Sequence, residues 1–193
     1  MTFKKKVIVA LDINNLLKAE KLINQIKEHI FGIKIGYEFF LNFGLQEYKK
    51  IKNMNINIFL DLKLHDIPNT VKNGIKAIST LNPYFTTIHI SGGDKMLEAA
   101  MNNKKKTKIL GVSILTSLNN NQIKRFYSKN NIDDLINDYT NYALKNNLDG
   151  IVCSPHEINK VKKIAENKLI IVTPGIRQIA NIKNDDQKRF MSP

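Results

Sequence analysis

Between Asp61 and Asp66 the chain places two carboxylates and an ammonium, within the run Ile58-Phe59-Leu60-Asp61-Leu62-Lys63-Leu64-His65-Asp66-Ile67-Pro68-Asn69-Thr70. The first part of this run is apolar and alternates as a buried strand does. Side chains two apart on a strand share a face, so Asp61 and Lys63 point the same way. Asp66 follows in a turn. Pro68 suits the first turn of a helix, where its missing N–H costs nothing. A strand therefore carries three charges to its C-terminal end and hands over to a helix. Turning Asp and Lys inward together is expensive unless the two are well paired. The arrangement reads in two ways. It is either a buried salt bridge at a strand end or a pre-arranged charged site at the mouth of an α/β fold.

The elements that position these residues alternate along the chain. Val7-Ile8-Val9-Ala10-Leu11 is a continuous apolar run ending at Asp12, as in a parallel strand. Asn14 or Asn15 caps a helix whose apolar positions are Leu16, Leu17, Ile23, Ile26 and Ile30. Gly32-Ile33-Lys34-Ile35-Gly36 is a second strand, with Lys34 at its centre. Tyr37 to Lys52 is helical in pattern and interrupted by Gly44. The third strand covers Asn57 to Lys63, and its helix Pro68 to Ser79. Tyr84 to Ile90 is the fourth strand; Ser91-Gly92-Gly93 and a helix through Met101 follow it. Lys108 to Leu115 is the fifth, closing on Thr116-Ser117, with helices around Asn121 and from Ile132 to Lys145. Asp149 to Cys153 is the sixth, followed by a helix from Pro155 to Asn167. Leu169 to Thr173 is the seventh, ending in Pro174-Gly175-Ile176-Arg177, and polar loop runs from Gln178 to Pro193.

Strict strand–helix alternation predicts a parallel sheet. A doubly wound sheet gathers its site at one switch point. A (β/α)8 barrel gathers it from many strand ends at one face. Asp12, Lys34, Asp61, Lys63, Thr116 and Arg177 lie in or just after five different strands, which favours the barrel. Seven of its eight strands are visible. No GxGxxG follows the first strand and no GxxxxGK[ST] occurs, so two common nucleotide folds lack their signature.

Composition narrows the class. With 193 residues, 42% hydrophobic and 24% charged, the chain suits one globular domain. Its formal charge is +13, yet only Arg125, Arg177 and Arg189 are arginines, and the lysines are spread over nearly every segment. A nucleic-acid binder clusters Arg and Lys on one element with aromatics between them, so nucleic acid is not expected as a partner. The one cysteine, Cys153, allows no intrachain disulfide and reads as a small core residue. The apolar run after Lys6 is too short for a signal-peptide core, and no stretch approaches the ~20 apolar residues of a membrane span. Cytoplasmic residence without membrane contact is the default expectation.

Taken together, these residues resemble those of the orotidine 5′-monophosphate decarboxylases, in their bacterial form. The motif Asp61-Leu62-Lys63-Leu64-His65-Asp66-Ile67-Pro68-Asn69-Thr70 carries the resemblance. Asp12, Lys34 in Gly-Ile-Lys-Ile-Gly, Leu115-Thr116-Ser117 and Thr173-Pro174-Gly175-Ile176-Arg177 support it in the right order. The resemblance implies conversion of orotidine monophosphate (OMP) to uridine monophosphate (UMP) and CO2 in pyrimidine nucleotide synthesis. It implies no metal and no organic cofactor, and a homodimer with shared active sites. Lys63 is implied as proton donor and Asp61 as the group facing the substrate carboxylate. Lys34 would hold Asp61 and bind the ribose, and Asp66 would reach into the partner's site. Asp12 is implied for the ribose hydroxyls, Thr116 for the nucleotide, and Arg177 and Gln187 for the phosphate side. Leu62, Leu64, His65, Ile67, Pro68, Asn69 and Thr70 belong to the substrate-binding motif as a whole.

Blander readings exist for each. Asp12 could be a helix N-terminal charge, and Lys34 could snorkel to solvent. His65 has no role that follows from the motif, and His89 reads as a satisfied core histidine; His29 and His156 read as surface positions. A Mg-dependent sugar-phosphate decarboxylase of the same barrel superfamily is the less favoured enzyme, because an acidic ligand stands there where this chain has Lys34. The resembling family also continues past the equivalent of Met191-Ser192-Pro193 with a helix and an eighth strand ending in a phosphate-binding Gly-Arg pair. The expectation is therefore a single barrel domain over 1–193, incomplete at its C-terminus. A truncated, catalytically impaired remnant or a non-catalytic barrel fragment, poorly stable and weak for UMP, is the alternative.

Overall fold

The computed structural model of the chain describes residues 6–128 and 131–176. Strands and helices alternate as β1 (Ile8–Ala10), α1 (Leu16–Ile26), β2 (Gly32–Ile35), α2 (Tyr37–Lys52), β3 (Asn57–Leu64) and α3 (Pro68–Leu81). They continue as β4 (Phe85–His89), α4 (Asp94–Met101), β5 (Lys108–Val112), α5 (Asn120–Tyr127), α6 (Ile132–Lys145), β6 (Gly150–Val152), α7 (Ile158–Ala165) and β7 (Ile170–Val172). Short 3-10 turns, Ile90–Gly92 and Pro155–Glu157, lead into α4 and α7. All neighbouring strands pair in parallel, in the order β1-β2-β3-β4-β5-β6-β7. A doubly wound sheet would reverse its order at a switch point. Here the order never reverses, and the curled sheet is seven strands of a (β/α)8-type barrel wall. No helix among the described residues is long and apolar enough to cross a membrane.

Strand periodicity sorts the core into an outer and an inner layer. Outward residues Leu11, Ile33, Ile35, Ile58 and Leu60 pack on Ala19 and Ile23 of α1 and on Phe39, Tyr48 and Ile51 of α2. On the other flank Ile88, Ile109 and Ile151 meet Ile75, Leu97, Ile136, Ala143 and Val161. Inside the barrel, Phe59, Phe85 and Leu110 form the apolar floor, ringed by Ile8, Phe31, Tyr84, Val152, Ile170 and Val172. The Phe59 and Phe85 rings meet edge-on at 5.8 Å. The inward position two residues beyond Phe59 is Asp61. The one two beyond Phe85 is Thr87. The same alternation that fills the floor with aromatics thus turns polar toward the strand C-termini.

Local chemistry sets the element ends. Asn15 caps α1, its side chain accepting from the Lys18 N–H at 3.0 Å. Pro68 stands at the start of α3 as expected. Helix α2 is kinked at Gly44, which sits at φ +65°. β5 is shorter than its apolar pattern predicts. It ends at Val112, where both the N–H and the hydroxyl of Ser113 reach the Val152 carbonyl, at 3.1 and 2.9 Å. Residues 113–119 then form a loop rather than strand. The fourth strand likewise stops at His89, and Ile90 opens the 3-10 turn.

Near the floor, strands approach so closely that a side chain has no room. A Cβ on Gly150 would lie 2.3 Å from the Ile170 carbonyl oxygen and 2.7 Å from Leu110 Cδ2. The Ile170 contact is backbone and cannot swing away. Gly150→Ala should therefore destabilise the fold by about 1–3 kcal/mol, as other overpacked core sites do, which a urea melt measures directly.

Candidate active site

The site begins with an irregularity in β3. Leu60 pairs with Thr86 and Leu64 with Ile88, so four steps along β3 match two along β4. The two additional residues make a bulge, a device that re-aims side chains beside active sites. Within it Lys63 adopts a left-handed backbone at φ +43°. For a residue with a Cβ that conformation costs roughly 1–2 kcal/mol. Side chains of neighbouring elements satisfy the displaced backbone. Thr87 Oγ1 accepts from the Lys63 N–H at 2.9 Å, and the Tyr37 hydroxyl donates to the Leu62 carbonyl at 2.6 Å.

Around this bulge four charges meet. Asp61 is only 6% exposed. Its Oδ2 receives Lys63 Nζ at 2.8 Å and faces Lys34 Nζ at 3.6 Å. Its Oδ1 accepts from the Thr87 hydroxyl at 2.9 Å. Lys34 Nζ also lies 3.7 Å from Oδ1 of the more exposed Asp12. β2, β3 and the segment after β1 bring Asp12, Lys34, Asp61 and Lys63 together at the C-terminal face. Lys63 reaches Asp61 although its backbone leaves regular strand geometry.

The rest of the motif surrounds the cluster without joining it. Leu62 and Leu64 are half-buried and pack outward against the core. His65, Asp66, Ile67, Pro68, Asn69 and Thr70 are exposed. Asp66 Oδ1 accepts from the Ile67 N–H at 2.6 Å. Thr116 lies half-buried in the turn after β5, on the same barrel face. Arg177 and Gln187 lie outside the described residues.

Two residues that the motif did not mark prove central, Thr87 and Tyr37. Thr87 left a trace. Thr86-Thr87 interrupts a buried apolar strand, and a period of two must send one hydroxyl inward. Thr86 takes the outward place and donates to the Leu60 carbonyl at 2.9 Å. Tyr37 left none, because its backbone partner exists only through the bulge.

His89 ends β4 on the inward face. Its ring lies 5.0 Å from that of His65, whose Nε2 is 3.5 Å from the Ser91 hydroxyl. Burial, with His65 and Lys63 adding to it and Asp61 opposing, lowers its pKa to about 4. It is a neutral ring at neutral pH. In the unfolded chain the same imidazole protonates near pH 6.5, so between these values the unfolded state binds more protons and stability is lost as the pH is lowered. The melting temperature should drop as pH goes from about 6.5 toward 4, and drop less in His89→Asn. Equal pH dependence in both proteins would remove His89 as the cause.

Fold and site together define a (β/α)8-barrel enzyme with a paired lysine–carboxylate array at its C-terminal face. Comparison with known proteins then gives the particular family. The sequence profile described as "Orotidine 5'-phosphate decarboxylase / HUMPS family" matches residues 5–193. Orotidine 5'-phosphate decarboxylase of Wolbachia sp. subsp. Brugia malayi is 40% identical over 189 residues, covering 97% of this chain and 83% of the relative. That of Aquifex aeolicus is also 40% identical, over 196 residues and the same shares. The crystal structure of the enzyme from Lactobacillus acidophilus superposes with a TM-score of 0.81 at 34% identity, covering 90% of this chain and 82% of that one. The chain belongs to the orotidine 5'-phosphate decarboxylase / HUMPS family.

Proposed function

We propose that this protein decarboxylates OMP to UMP and CO2, with its own side chains supplying the electrostatics. The carrying observation is Asp61, a buried carboxylate held between Lys63 at 2.8 Å and Lys34 at 3.6 Å. Cleavage of the bond from pyrimidine C6 to the carboxylate leaves the electron pair at C6, in the ring plane, where the π system delocalises it poorly. A pre-oriented ammonium stabilises that charge without reorganising. Lys63 is the group for this role: its Nζ stabilises the C6 carbanion and then transfers a proton to it, and solvent restores the proton. Asp61 faces the leaving carboxylate and holds Lys63 in place. Lys34 ties Asp61 to Asp12, which meets the ribose hydroxyls. Thr116 contacts the nucleotide, and Arg177 and Gln187 are assigned to the phosphate.

The reading includes a cytoplasmic homodimer in which Asp66 completes the partner's array. Its support is local. Asp66 is exposed and bonds the neighbouring Ile67 N–H, and Ile67 itself is 68% exposed. Leu41, on α2, is 78% exposed. Such apolar residues at the rim suit burial against a second copy.

A Mg-dependent sugar-phosphate decarboxylase fits the geometry less well. Lys34 Nζ stands between Asp12 and Asp61, less than 4 Å from each, where a cation would need to bind. Decarboxylation of OMP that persists in excess chelator is the expected result.

Two experiments test the roles. Loss of OMP absorbance gives the rate, and Lys63→Ala should lower kcat by at least about 10²–10⁴-fold with the fold retained. An unchanged kcat would exclude Lys63 as proton donor. Mixing inactive Lys63→Ala and Asp66→Ala proteins should restore about a quarter of wild-type activity, since half of the C2 dimers then hold one intact site. Mixed dimers without activity would show that the site is not shared.

A further inference from the structure

The charges at the site converge on one uncharged side chain. Thr87 is fully buried, and its hydroxyl makes two bonds. It donates to Asp61 Oδ1 and accepts from the Lys63 N–H, each at 2.9 Å. The first bond fixes the plane of the carboxylate, leaving Oδ2 toward both ammoniums. The second anchors the backbone of Lys63 in its left-handed conformation, where the bulge has removed the regular ladder partner. A hydroxyl has one donor and two acceptor sites, so a single group can serve both. Valine has the same shape and can serve neither. An apolar side chain is otherwise the expected occupant of this inward strand position, above Phe85 on β4.

We propose that Thr87 is a positioning residue for the decarboxylation, setting the Asp61 carboxylate and the Lys63 ammonium in one fixed relation. Its hydroxyl is committed to Asp61 and to the Lys63 amide, which assigns it no contact with substrate. It acts through those two residues, and the proposal rests on the decarboxylase reading for its catalytic consequence. The hydroxyl is needed because the bulge and the carboxylate impose opposite demands. The bulge leaves an N–H without an acceptor, and the carboxylate needs a donor. Thr87 answers both from a third strand that has no charge of its own at this height.

The test uses Thr87→Val and Thr87→Ser in the full chain. Val should lower kcat on the order of 10- to 100-fold, the usual cost of a misplaced reacting group, while KM changes little. Ser keeps the hydroxyl and should stay near wild type. A second readout needs no substrate: in ligand-free protein the Asp61 carboxyl carbon resonance should move in Val and not in Ser. A purely structural Thr87 would lower the melting temperature of Val without changing kcat well below the melt. Val that keeps wild-type kcat and an unmoved Asp61 resonance overturns the proposal. If Val does not fold, Thr87→Ala is read by the same two measurements. If the wild-type chain does not decarboxylate OMP, the decarboxylase reading falls, while the Asp61 resonance still decides whether Thr87 positions the pair.

Discussion

A carboxylate with almost no exposure has to be accounted for by its neighbours, and Asp61 is that carboxylate. Removing an ion from water costs more than one ordinary contact returns, so a buried charge persists only with close partners and a full set of hydrogen bonds. Asp61 has both. One oxygen faces two ammoniums and the other accepts a hydroxyl proton. These partners come from three adjacent strands, β2, β3 and β4. The parallel register of those strands is therefore a condition of the site, and a slip of one residue would turn every inward group outward. Such a cluster is not a source of stability. Apolar replacements of buried ion pairs are often neutral or stabilising. Stability is supplied elsewhere, by the aliphatic layer between strands and helices and by the aromatic floor.

The bulge in β3 is where the two demands meet. Below it the strand is regular, with Ile58 and Leu60 outward and Phe59 inward. Above it the ladder is interrupted, and two side chains from outside the strand replace the lost backbone partners. A local strain of roughly 1–2 kcal/mol at Lys63 is tolerable because the packed layers on both sides over-determine the backbone. The return is reach. From a left-handed position Lys63 Nζ still closes on Asp61, and its amide is committed to Thr87 rather than to a neighbouring strand carbonyl.

Much of this was legible in the chain because it depends on period and type. Seven apolar runs separated by helical patterns predicted the seven strands in order, and the charged residues Asp12, Lys34, Asp61 and Lys63 at or near their ends meet at one face. The spacing of Asp61 and Lys63 placed both at one site, and Lys34 joined them as the one charge within a short apolar strand. What was not legible depends on departures from period. Rules of alternation assume a regular strand, so the bulge left no mark in the sequence. With it were hidden the left-handed Lys63 and the role of Tyr37. The early end of β5 is similar: Ile114 and Leu115 continue the apolar pattern, but Ser113 turns the chain by bonding the Val152 carbonyl twice.

The division of the barrel interior into an apolar floor and a charged top explains why one alternating pattern serves two purposes. Phe59 and Asp61 share a face of β3, as Phe85, Thr87 and His89 share one of β4. A step of two residues is about 7 Å along a strand, enough to pass from packed aromatic rings to paired charges. The aromatic layer lies one step beneath Asp61, and Asp61 itself is almost fully withdrawn from solvent. A low local dielectric strengthens the interactions of Lys63 and Lys34 with any anion bound there. His89, kept neutral beside them, adds bulk to that wall without adding a competing positive charge. The floor that stabilises the fold is therefore also part of the electrostatics of the site, and the two cannot be altered independently at Phe59 or Phe85.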